Sequence, residues 1–107
     1  MNDAERWDMA AMVARTVMES LALDEITPIT LSVDAYHVDV SVPWDQVGWA
    51  ATGIFNGAQD LPVRKSYRCR DVTGMVDGVP VTIRGFQRET DPKPENITVA
   101  DLLKADR

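Results

Sequence analysis

The chain has 107 residues, 45% of them apolar and 26% charged, with a formal net charge of −6. That balance describes one globular domain with a small core, and excludes a disordered chain, a repeat array and a fibrous protein. No apolar run approaches the ~20 residues of a membrane helix, and the N-terminus is acidic where a secretory leader is basic and then apolar. With a single cysteine, Cys69, and so no internal disulfide, the expected location is the cytoplasm. Eight Arg against three Lys is the usage of a high-GC genome.

Asn2 followed by Glu5 predicts a capped helix over residues 3–22. Trp7, Ala10, Ala11, Ala14, Val17, Met18 and Leu21 form its apolar stripe, leaving Met9, Met12 and Val13 outside it. The period then changes to two. Ile29, Leu31 and Val33, then Tyr36, Val38, Val40 and Val42, alternate with polar residues, and the phase slips at Asp34-Ala35. Two short strands with a turn over residues 34–37 are expected, the second ended by Pro43. Residues 44–52 fit a short helix with Gly53 as its C-terminal cap.

Residues 63–76 and 79–88 flank Asp77-Gly78, a two-residue hairpin turn in which both positions need positive φ. That turn sets Val76 opposite Val79, Met75 opposite Pro80, Thr73 opposite Thr82, Val72 opposite Ile83, Asp71 opposite Arg84 and Cys69 opposite Phe86. Pro80 suggests that its strand lies at a sheet edge. Pro92 and Pro94 mark 89–97 as an extended tether, and Thr98 with Asp101 caps a last short helix over 98–107. The expected fold is α+β and two-layered: an antiparallel sheet of about four strands in two hairpins, an N-terminal helix across one face, a short helix between the hairpins and a short C-terminal helix. Residues 1–88 would form the domain.

Little in the sequence points to chemistry. His37 and Asp39 share a strand face, but no further ligands stand at a metal-site spacing, and the glycines do not form a phosphate loop, so no metal, cofactor or catalytic set is expected. Cys69, between Arg68 and Arg70, reads as a small buried residue, Asn96-Ile97-Thr98 as an incidental glycosylation motif, and the three tryptophans as core. Charge is the one asymmetry: residues 1–63 carry a net −8, residues 64–88 +4 and residues 89–107 −2. If residues 63–76 form one strand, Arg64, Arg68 and Arg70 share a face, with Tyr67 and Arg88 on the other.

These five residues are candidates for a partner surface, as are Met9 and Met12 off the helix stripe and Leu102 and Leu103 on the last helix. The expected function is a non-catalytic interaction or regulatory module acting through protein contacts, a homodimer, of the kind found among small bacterial or phage accessory proteins. The alternative is nucleic-acid binding by the basic hairpin, which the overall acidity opposes.

Overall fold

A computed structural model describes residues 2–57, 59–66, 69–86 and 97–105. Among these, three helices and six strands follow the order α1 (Asp3–Leu23), β1 (Thr30–Val33), β2 (Val38–Pro43), α2 (Val47–Ile54), β3 (Pro62–Ser66), β4 (Cys69–Val76), β5 (Val79–Phe86), β6 (Ile97–Thr98) and α3 (Val99–Ala105). The sheet runs β1-β2-β5-β4-β3, prolonged by the two-residue β6. The class is the expected α+β, but the sheet is mixed: β2 and β5 lie parallel, Val38 beside Val81 through Pro43 beside Phe86.

The helices share one face. α1 packs over β1, β2 and β5, α2 over β2, β5 and β4, and α3 against α2. Between them and the sheet lie Val13, Val17, Leu21, Val38, Val40, Val42, Val72, Val81 and Ile83, removed from water at roughly 25 cal/mol per Å² of apolar surface. Asn2 caps α1, its side chain accepting from the Glu5 amide at 2.9 Å. The helix ends with Glu25 at φ 57° and the Ile26 amide bonded back to the Leu21 carbonyl at 2.8 Å, which turns the apolar Ile26 into the core.

The β4–β5 register is the one set by Asp77-Gly78, pair for pair from Cys69–Phe86 to Val76–Val79, with both turn residues at positive φ. The β1–β2 hairpin also forms where the phase slips. Its turn is closed by the Asp34 amide donating to the His37 carbonyl at 3.0 Å, and the Tyr36 amide donates to Asp34 Oδ1 at 2.7 Å.

Four expectations are corrected. Residues 63–76 make two antiparallel strands, with Ser66 opposite Cys69. Pro80 stands inside the sheet, tolerated because the β2 ladder begins one residue later, at Val81. Gly53 lies within α2, whose end is made by Asn56 and Gly57, both at positive φ, with the Gly57 amide on the Thr52 carbonyl. The arc of α1 that meets the sheet is turned about 45° from the expected stripe, so Val13 is buried while Trp7 is 49% exposed. The tryptophans are not core: Trp49 is exposed too, and Trp44 half-buried.

Val99 and Leu102 are buried, and a Cβ on Gly48 would fall 2.9 Å from the Leu102 Cβ, so α3 meets α2 at a point where only glycine leaves room. Two outcomes follow for thermal unfolding. Leu102→Ala should cost about 2–4 kcal/mol, whereas Met12→Ala, on the exposed side of α1, should change stability by less than about 0.5 kcal/mol. Glu25→Gly should stabilise by about 0.5–1 kcal/mol, because glycine holds positive φ without the Cβ penalty.

Candidate functional site

The reversal between β3 and β4 breaks up the basic face. Arg64 stands opposite Asp71 and Lys65 opposite Arg70, so Arg64 lies on the open side of the sheet and Arg70 on the helix side. Arg70 is only 5% exposed, its guanidinium 3.9 Å from the centroid of the Trp44 ring, a desolvated cation–π contact. It is therefore not available to a partner. Tyr67, Arg68 and Arg88 lie outside the described residues. Leu102 is in the core and Leu103 packs against it.

The open side carries polar rows that run across the strands. Ser32, Asp39, Thr82 and Thr73 form one, and Thr30, Ser41, Arg84, Asp71 and Arg64 the next. Within them the charges meet at close range. Arg84 Nε donates to Asp71 Oδ1 at 3.1 Å, and the Cys69 thiol donates to the same oxygen at 2.8 Å. Burial works against the Arg84 charge, but the field and hydrogen bond of Asp71, aided by Asp39 and Cys69, outweigh it and raise the guanidinium pKa above its ordinary value. Because that group is charged at every practicable pH, the pair persists wherever Asp71 is ionised.

His37 joins the first row. Its Nε2 lies 2.8 Å from the Thr82 hydroxyl and its Nδ1 3.8 Å from Asp39, while the Thr73 and Thr82 hydroxyls are 3.0 Å apart. Carboxylate, imidazole and hydroxyl thus occur in the order that acyl-transfer sites use. Here, though, Thr82 is buried on a flat sheet with its hydroxyl shared between two partners, an arrangement that ties β2, β4 and β5 together. Among the described residues no three His, Cys, Asp or Glu side chains gather as a metal site requires, and no helix is long and apolar enough to cross a membrane.

The apolar residues left exposed gather elsewhere, around the tip of the β4–β5 hairpin. A cleft of about 610 Å³ opens between α1, the β1–β2 turn and that tip, lined among others by Arg6, Met9, Tyr36, Met75 and Pro80. A second of about 560 Å³, with Met9 and Asp77 in common, is lined by Asp8, Met12, Arg15, Thr16 and Glu19. Met12, Tyr36 and Met75 are 66%, 59% and 62% exposed, a concentration of large apolar surface that a core does not explain.

Of the sequence candidates, the structure brings Met9 and Met12 together here. Tyr36, Met75 and Asp77 are additions that sequence reasoning missed. The signal for Met75 was its pairing with Pro80 on the side of the hairpin away from the core valines. Arg6 is held over the Tyr36 ring at 4.8 Å, leaving Asp8, Glu19 and Asp77 against Arg15 at the rim. Comparison with known proteins finds no matching family, no matching curated protein and no matching solved structure.

Asp71→Ala should destabilise by about 1–2 kcal/mol, since it leaves Arg84 and the Cys69 thiol without their common acceptor, moderated by the partial exposure of Arg84. Arg64→Ala, at an exposed position, should leave the melting temperature within about 2 °C of the parent.

Proposed function

We propose that this chain is a non-catalytic interaction module, working as a pair of copies, that receives a protein segment in the cleft around Met9. The observation that carries this reading is the grouping of Met12, Tyr36 and Met75 at the cleft, all largely exposed. Methionine is flexible and polarisable, and surfaces rich in it accommodate apolar anchors of varied shape. The carboxylates of Asp8, Glu19 and Asp77 at the rim, on a chain of net charge −6, favour a cationic partner both on approach and when seated. An amphipathic helix or turn with basic flanks has that chemistry. Nucleic acid lacks it, and the separation of Arg64 from Arg70 by the sheet removes the basic ribbon on which that alternative stood.

Isothermal titration with a designed Leu–Lys amphipathic helix, against its Leu–Glu counterpart, tests the reading. The cationic peptide should bind, more weakly as salt is raised, and the acidic one should not. The double variant Met12→Ser, Met75→Ser should bind at least about tenfold more weakly, with unchanged unfolding. Equal binding of both peptides, or no effect of the double variant, would overturn it.

A further inference from the structure

We infer that two copies of this chain join through β1, edge to edge about a two-fold axis, so that their sheets continue as one; this rests on the reading of the protein as a paired module and names the surface that pairs it. β1 is the outermost strand of the sheet order, and among the described residues its outer side has no strand partner. The bond from the Asp34 amide to the His37 carbonyl fixes the phase of the hairpin. By antiparallel alternation Thr30 and Ser32 direct their backbone groups to β2, while the amides and carbonyls of Leu31 and Val33 point outward. An edge of this kind is usually blunted by charge, proline or a bulge. Thr30, Leu31, Ser32 and Val33 include no charge and no proline, so two chains that each carry −6 can meet along them without bringing like charges face to face.

The surroundings of β1 favour a second copy as the occupant. α1 approaches α2 through Ser20 and Asp24, which crowd Gly53, and Trp7 lies about 140° round the helix from Ser20, on the flank above the β1 side. The contact of Arg6 with Tyr36 sets the start of α1 over the β1–β2 turn, so Trp7 stands near the Val33 end of the strand and Leu23 and Ile29 near the other. All three are exposed, at 49%, 85% and 63%. Antiparallel pairing about a two-fold axis brings Trp7 of one copy to Ile29 and Leu23 of the other, and the same contact occurs twice. The register that uses both outward residues bonds Leu31 to Val33 across the axis and places each Ser32 beside its own copy, a non-hydrogen-bonded pair whose Cβ atoms lie roughly 4.5–5.5 Å apart.

Light scattering at micromolar concentration should give twice the 11.9 kDa chain mass, reduced to the single mass in Leu31→Lys, with the far-UV circular dichroism melt showing that the variant folds. Independently of that variant, Ser32→Cys in a Cys69→Ser background should form a disulfide-linked dimer on mild oxidation, and Thr30→Cys in the same background should not. A single-chain mass for the parent at every concentration would overturn both this interface and the pairing itself. A dimer that survives Leu31→Lys, with no cross-link formed by the Ser32→Cys variant, would overturn the interface while leaving the pairing in place.

Discussion

The parallel ladder between β2 and β5 is the contact that makes one domain of this chain. Everything before it, α1 and the β1–β2 hairpin, belongs to the N-terminal part of the sequence, and everything after α2 to the β3–β4–β5 meander. Only where Val38–Pro43 lie along Val81–Phe86 do the two become a single sheet. The crossover between them carries α2, so that helix falls at the centre of the helical layer, with α1 on one side and α3 on the other. Placing all three helices on one face leaves the other without a covering layer, which is why its residues are polar and satisfy one another through Asp71, Arg84, Thr82 and His37.

What the sequence made legible was local. The caps at Asn2 and Thr98, the turn at residues 34–37 and the whole β4–β5 register each follow from a few adjacent residues whose side chains or φ preferences decide the matter. The parallel ladder was not legible, because no short-range signal marks which distant strand a hydrophobic strand will join. The reversal between Ser66 and Cys69 escaped for a different reason: neither intervening residue is Gly, Pro, Asn or Asp, the types whose chemistry announces a turn. Once missed, it put Arg64 and Arg70 on the same face and inverted the meaning of the basic segment.

Charge segregation along a chain is accordingly a poor guide to charge segregation in space. The six cations of residues 64–88 are divided by the sheet. Arg84 is committed to Asp71, Arg70 lies under Trp44, and Arg64 shares its row with both members of the Asp71–Arg84 pair. The Met9 cleft has the opposite history: its residues come from α1, the β1–β2 turn and the β4–β5 tip, far apart in sequence. Only Met9 and Met12 carried a hint, as apolar residues off the expected stripe of their helix.

Asp77 and Gly78 hold φ values of 50° and 82° in the turn that sets the β4–β5 register, and Asp77 also stands in the wall shared by both lobes of the cleft. Folding and recognition therefore draw on the same two residues. A substitution there would be judged by selection on both counts at once, so this tip has less freedom to drift than its exposure suggests, and new specificities would be reached more readily through Met12, Tyr36 or Met75.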